Sequence, residues 1–119
     1  MYFFDTYAII EIYKGSKNYE RFKSFNITTG VLNIGELYQL YLKREGKELA
    51  DTWFDQMNFE ILELSPEIIK EAVHFRFINK GKNISLVDAV GYVLSLKHKL
   101  RFLTGDQQFE KVSHVEFVK

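Results

Sequence analysis

Four acidic residues lie where the chain passes from one kind of element to another. Asp5 ends an apolar stretch at the start of the sequence, and Asp106 follows a later apolar stretch after one glycine. Asp88 lies in the first turn of a helical pattern, and Glu36 lies in the first half of another. Acids at such positions either cap helices or share a site, and the fold decides between these roles.

Strand and helix patterns alternate along the chain. Strands are predicted at Tyr2–Phe4, Phe25–Thr28, Phe59–Leu64, Arg101–Thr104 and Val115–Val118. Helices are predicted at Tyr7–Tyr13, Tyr19–Ser24 (one turn), Gly30–Arg44, Glu48–Met57, Pro66–Phe77, from the Ser85 cap to Lys97, and Asp106–Glu110. The alternation favours a three-layer α/β/α sandwich with a central, mainly parallel sheet. A length of 119 residues predicts a single domain, residues 1–119.

The predicted fold brings the four acids to one edge of the sheet. In a parallel sheet all strands end at the same edge, and ligands bind there. Asp5 and Asp106 follow strands directly and therefore belong at that edge. Helices begin where strands end, so Asp88 and Glu36 belong there too.

Acids gathered in this way repel one another unless a positive charge lies among them. Mg²⁺ prefers oxygen ligands and needs only one or two protein carboxylates directly. The chain has no cysteine, which excludes a thiolate site, and its three histidines show no ligand spacing. Simpler explanations remain for each acid: a cap at Asp5, a turn or cap at Asp106, a capping box with Ser85 at Asp88, and a surface position at Glu36.

The amino-acid composition limits which kinds of partner the protein could bind. The formal net charge is zero, so any nucleic-acid contact must use a local patch, for which Lys80 and Lys82, just before the Asp88 helix, are the best placed. No apolar run is long enough to span a membrane, and Asp5 and Glu11 interrupt the first apolar stretch as no signal peptide would. The absence of cysteine fits a reducing cytoplasm.

The sequence resembles a PIN domain, and most closely the small single-domain kind found as the toxin of VapBC-type toxin–antitoxin pairs. The resemblance covers essentially the whole chain. Its motifs are FFDTYAII with Asp5 and Thr6, GELYQLY with Glu36, ISLVDAVGYVLS with Asp88, FLTGDQQFEKV with Thr104 and Asp106, and the closing HVEFV.

The resemblance implies a nuclease that hydrolyses RNA phosphodiester bonds with Mg²⁺ or Mn²⁺. It places Asp5, Glu36, Asp88 and Asp106 in the catalytic and metal-binding positions, with Asp5 and Asp106 expected as direct ligands. Thr104 matches a hydroxyl that accompanies the fourth acid, and Thr6 follows the first. The resemblance also implies an antitoxin partner and a homodimer, and the aromatic content of 16% leaves much apolar surface to cover.

Other functions stay open on the sequence. The chain could be a PIN nuclease of housekeeping RNA processing. It could be a non-catalytic α/β binding domain in which the acids only cap helices. A flavodoxin-like receiver domain is disfavoured, because the strand that ends at Thr104 is followed by Asp106 where a receiver has a lysine.

Overall fold

A computed structural model describes all 119 residues. The strands are β1 (Tyr2–Phe4), β2 (Thr28–Gly30), β3 (Glu60–Leu62), β4 (Arg101–Thr104) and β5 (Val115–Phe117). The helices are α1 (Thr6–Lys14), α2 (Val31–Glu45), α3 (Lys47–Gln56), α4 (Pro66–Ile78) and α5 (Leu86–Lys97). Short 3₁₀ helices span Lys17–Phe22 and Gln107–Phe109. None of the α-helices is long and apolar enough to cross a lipid bilayer.

Every strand pair is parallel, which confirms the predicted sheet type. The backbone ladders form two groups, β1-β4-β5 and β2-β3. A side chain joins the groups, since the hydroxyl of Thr29 donates a 2.7 Å hydrogen bond to the carbonyl oxygen of Phe4. The sheet therefore has a seam between β1 and β2 that is closed by this bond and by packing.

Two apolar cores lie on opposite faces of the sheet, as the alternation of side chains along a strand requires. Phe3 and Phe102 are register partners in β1 and β4, and both pack with α4 and α5. Phe4 and Leu103 are the next pair, and both face α1 and α2. This arrangement gives the three layers of the predicted α/β/α sandwich.

Local sequence signals predicted some strand and helix boundaries correctly and others wrongly. β1 and β4 occupy the predicted residues, and Ser65 caps α4 through a 3.3 Å bond from the Ile68 amide. The prediction of a strand over Phe25–Thr28 was wrong: β2 begins at Thr28 and ends at Gly30. Phe25 pairs with no strand and packs instead against the core between the sheet and α1.

Candidate functional site

Asp5 is buried at the end of β1, where it occupies the N-cap position of α1 without capping it. Its Oδ2 accepts a 2.7 Å hydrogen bond from the hydroxyl of Thr104, at the end of β4. Its Oδ1 faces the amide nitrogen of Asn33 at 3.5 Å. A capping role therefore does not explain this carboxylate, whose side-chain contacts are with Thr104 and Asn33 instead.

Glu36 lies on α2, across the seam from Asp5. The Thr6 hydroxyl donates a 2.6 Å hydrogen bond to its Oε1, and the amide of Asn33 donates a 3.0 Å bond to the same hydroxyl. These bonds connect the beginning of α1 to α2. They explain why Glu36, which lies between Leu32 and Leu40 on an apolar side of the helix, is only partly exposed.

Asp88 forms the predicted capping box at the start of α5. Its amide donates to the Ser85 hydroxyl at 3.1 Å, and its Oδ2 accepts from the Ser85 amide at 3.2 Å. Asp106 also caps, since its Oδ1 accepts from the Gln108 amide at 3.0 Å. Both acids thus have structural roles, which do not exclude a further one because a helix N-terminus favours a negative charge.

Gly105, just before Asp106, packs closely against α1 and against the residue that follows β5. A Cβ at residue 105 would lie 2.5 Å from the carbonyl oxygen of Val118 and closer still to the ring of Tyr7. Only glycine fits between these groups. The next amide, that of Asp106, then donates a 3.1 Å hydrogen bond to the same Thr104 hydroxyl that contacts Asp5.

Burial and the charges of neighbouring acids raise the pKa of Asp5, Glu36 and Asp88. Burial raises the pKa of Asp5 to about 7, with repulsion by Asp88 as the next cause and the Thr104 hydrogen bond acting in the opposite direction. Burial also raises the pKa of Glu36, and the charge of Asp88 adds to the effect against the Thr6 bond. Burial raises the pKa of Asp88 too, opposed by its Ser85 bonds and reinforced by Asp106.

No protein cation compensates this charge. The five ion pairs of the structure all lie elsewhere, and none includes Asp5, Glu36, Asp88 or Asp106. At the same time, no three acidic or histidine side chains converge tightly enough to hold one ion between them. The structure therefore brings the four predicted acids into electrostatic contact along one edge without closing a complete set of ligands.

The two predicted phosphate contacts differ in their placement. Lys82 reaches the Asp106 loop, where its ammonium group donates a 3.2 Å hydrogen bond to the Gln108 carbonyl. Lys80 lies over the ring of Phe77, 5.2 Å from its centroid. Of the two lysines, Lys82 is thus the one seen to contact the loop that carries Asp106.

Sequence reasoning missed Asn33, which contacts both Asp5 and Thr6. The available signal was its spacing, because Asn33 precedes Glu36 by three residues and so shares its helix face. An asparagine inside a helix is otherwise unremarkable in a sequence, although its helix propensity is low.

Comparisons with known proteins agree with this architecture. The PIN domain family matches residues 2–115 of the chain. The sequence has no significant match among curated proteins.

Several solved structures share the fold. VapC20 of Mycobacterium tuberculosis, described as a sarcin–ricin loop cleaving toxin, superposes with a TM-score of 0.79 at 18% identity over 100% of both chains. A chain of VapBC-1 from nontypeable Haemophilus influenzae gives a TM-score of 0.76 at 15% identity, covering 98% of this chain and 95% of that one. One from VapBC2 of Rickettsia felis, bound to a promoter DNA fragment, gives 0.73 at 18% identity over 99% and 98%.

Proposed function

Since the chain belongs to the PIN domain family, we propose that it is a divalent-metal-dependent endoribonuclease and the toxin of a VapBC-type toxin–antitoxin pair. The structural neighbours named above are toxins or toxin–antitoxin complexes, which supports this assignment over a role in housekeeping RNA processing. An RNA substrate and an antitoxin partner place the proposed activity in the cytoplasm.

One observation carries the proposal: the Asp5 carboxylate is buried, uncompensated by any protein cation, and free of a capping role. A non-catalytic domain would need its acids only as caps, and Asp88 and Asp106 do serve as caps. Asp5 does not. Burying a carboxylate beside other acids opposes folding, because desolvation and repulsion both act against its charged form. A carboxylate kept at such a place is a candidate for a functional site.

The donors available at this edge fit a hard divalent cation. They are carboxylate and hydroxyl oxygens, with no thiol and no paired histidine, and their negative charge has no protein counter-ion. Because Mg²⁺ needs only one or two protein carboxylates directly, Asp5, Glu36, Asp88 and Asp106 would hold Mg²⁺ or Mn²⁺ partly through water, without three side chains converging on the ion. When bound, such an ion would supply a Lewis acid for the phosphate and lower the pKa of a coordinated water.

The chain's own residues hold these groups in place. Thr104 orients Asp5 and receives the amide of Asp106, so one hydroxyl sets the spacing between the acids of β1 and β4. The Thr6 hydroxyl, at the start of α1, holds the Glu36 carboxylate by donating a hydrogen bond to it. Because these partners are neutral, they fix the carboxylates without removing the charge that a cation would bind.

Lys82 is the proposed contact for the RNA backbone. Its ammonium group lies on the loop that presents Asp106, where it could neutralise a phosphate next to the one being cleaved. Lys80 is the second candidate, since it follows α4 on the adjoining surface.

Two surfaces are proposed for protein partners. A groove of about 210 Å³ between α1 and α2 is lined by Ile10, Tyr13, Leu40 and Tyr41, and Ile10 and Leu40 also line a shallower pocket that reaches Thr6 and Glu36. We assign this groove to the antitoxin. The exposed apolar side chains of α4, among them Phe77 and Ile78, are the proposed homodimer surface.

Cleavage of a labelled single-stranded RNA tests the nuclease assignment. The native protein, Asp5→Asn, and Asp55→Asn as a matched control on the exposed surface of α3 would be compared with Mg²⁺, with Mn²⁺ and with EDTA. We expect cleavage that requires metal, vanishes in Asp5→Asn and persists in Asp55→Asn.

Calorimetric titration with Mn²⁺ complements this assay, because a toxin that is selective for one RNA could leave an arbitrary substrate intact. Binding to the native protein that is lost in Asp5→Asn supports the site. A native protein that neither binds Mn²⁺ nor cleaves RNA would favour a non-catalytic α/β binding domain.

A further inference from the structure

Asn33 is a buried polar residue whose side chain faces the candidate site. It lies in the first turn of α2 with 1% of its surface exposed. Its Nδ2 is 3.0 Å from the Thr6 hydroxyl and 3.5 Å from Oδ1 of Asp5. An amide with its carbonyl turned toward a carboxylate would be repelled, so the nitrogen faces the acids.

The other end of the amide is accommodated by Gly30. A Cβ at residue 30 would lie 3.2 Å from Oδ1 of Asn33, which is closer than almost all real contacts of this kind. The glycine at the end of β2 thus leaves room for the carbonyl. This fit fixes the position of the amide group, and its contacts with the acids determine which end carries the nitrogen.

The direction of the hydrogen bonds follows from the number of protons. The Thr6 hydroxyl has one proton, and the amide nitrogen of Asn33 can only donate. The hydroxyl must therefore accept from Asn33, which leaves its proton for Glu36 at 2.6 Å. The two N–H groups of Asn33 thereby serve Asp5 directly and Glu36 through Thr6.

We propose that Asn33 is a positioning residue that sets the relative placement of the Asp5 and Glu36 carboxylates for metal binding. This inference depends on the proposed function, since it assumes that the two acids act on one metal centre. Asp5 and Glu36 belong to opposite sides of the seam between β1 and β2, where no backbone ladder sets their spacing.

The absence of charge on Asn33 suits it to this role. A lysine or arginine at this place would form ion pairs with the acids and compete with a metal for them. An aspartate would accept the Thr6 proton and release Glu36. An amide donates to both sides and adds no charge.

A double-mutant cycle on Mn²⁺ affinity, measured by calorimetry, tests this role. The variants are Asn33→Leu, Thr6→Val and the double variant, with Gln56→Leu on the exposed surface of α3 as the matched control. We expect each single variant to weaken Mn²⁺ binding about 10-fold, as loss of an outer partner of a metal site does. The double variant should lose clearly less than the product of the two effects, because Asn33 acts in part through Thr6.

The unfolding midpoint in EDTA accompanies each titration. If Asn33→Leu does not fold, Asn33→Ala replaces it, since alanine suits the helix. Native-like Mn²⁺ affinity in a folded Asn33 variant, or strictly multiplicative losses, would overturn the positioning role while leaving the nuclease assignment intact. Failure of the native protein to bind Mn²⁺, or equal binding by Asp5→Asn, would overturn both.

Discussion

The hydroxyl of Thr104 donates a 2.7 Å hydrogen bond to Oδ2 of Asp5, a residue 99 positions earlier in the chain. The Thr104 hydroxyl oxygen also accepts a 3.1 Å hydrogen bond from the Asp106 amide. One buried hydroxyl thus connects the ends of β1 and β4 and the loop that carries Asp106. Thr104 is consequently where a small change should affect both acids together.

Thr104→Val removes this hydroxyl with little change in shape. It leaves Oδ2 of Asp5 without its donor and the Asp106 amide without its acceptor. We expect metal-dependent cleavage to fall about 10- to 100-fold and stability to fall by about 1–3 kcal/mol. Single-turnover cleavage and thermal unfolding measure the two effects. Thr52→Val, which affects an exposed hydroxyl bonded within α3, should change neither, and native-like cleavage by Thr104→Val would contradict the role.

The raised pKa of Asp5 makes the stability of the metal-free protein depend on pH. The unfolded chain releases this proton near the ordinary pKa of 3.8, whereas the folded chain keeps it up to a pKa of about 7. Between these values the folded state binds more protons than the unfolded state, so the free energy of unfolding falls as pH rises. The full effect corresponds to at most about 4 kcal/mol, complete above pH 7.

Asp5→Asn isolates this contribution. In EDTA, the variant should resemble the native protein near pH 4 and become more stable than it by about 2–4 kcal/mol at pH 7.5. Urea unfolding at several pH values measures the difference. Asp55→Asn should follow the native protein throughout, and a difference between Asp5→Asn and native that stays constant with pH would show that Asp5 is not responsible.

Gly105 is required by close packing and not by backbone angle. In Gly105→Ala, the new methyl group would collide with the Val118 carbonyl and the Tyr7 ring. We expect a loss of about 1–3 kcal/mol and reduced cleavage, because Asp106 is displaced. Gly35→Ala is the matched control: its Cβ meets open space in α2, so it should gain about 0.5–1 kcal/mol. Equal stability of the two variants would refute the packing argument.

A phosphate contact at Lys82 should appear in the salt dependence of RNA binding. Lys82→Gln, made in the Asp5→Asn background to prevent cleavage, should lower the slope of log affinity against log salt by about 0.7. Filter binding at several salt concentrations gives this slope. Lys97→Gln, at the far end of α5 from Asp88, should leave it unchanged. An unaltered slope for Lys82→Gln would remove this lysine from the interface.

If the exposed apolar side chains of α4 form a homodimer, a charge introduced there should lower the mass of the particle in solution. Phe77 and Ile78 expose 66% and 63% of their surface on α4. Phe77→Glu should convert a dimer to a monomer in sedimentation equilibrium, since a charge would be buried in the contact. Leu49→Glu, at an exposed position of α3, should leave the mass unchanged. Persistence of the dimer in Phe77→Glu would place the interface elsewhere.

The sequence was sufficient where the local signal and the packing agree. The strands Tyr2–Phe4 and Arg101–Thr104 bring apolar side chains such as Phe3 and Phe102 into the core, and their boundaries were predicted without error. β2 is different, because Thr28-Thr29-Gly30 has no apolar pattern and is held by the Thr29 hydroxyl and its pairing with β3. The strand was predicted from the strand propensity of Phe25, which in the structure is partly buried by packing against the core.

The sequence was enough to predict which acids form the candidate site, but not the side-chain contacts that they make. Element order places Asp5 and Asp106 at one edge, since parallel strands end together. Whether Asp5 caps α1 depends on the direction of one side chain, which no pattern in the sequence specifies. The contacts of Asn33 likewise depend on how α2 meets β1 across the seam, and this is set by tertiary packing.

The seam between β1 and β2 also bears on how the protein could evolve. Backbone ladders hold Asp5 and Asp106 on one part of the sheet, whereas Glu36 follows β2 on the other. Substitutions in β2, β3 or α3 can therefore shift Glu36 relative to Asp5 by small amounts without altering an acid or breaking a ladder. The seam is therefore the place where the spacing of two acids can change while the backbone ladders of the fold stay intact.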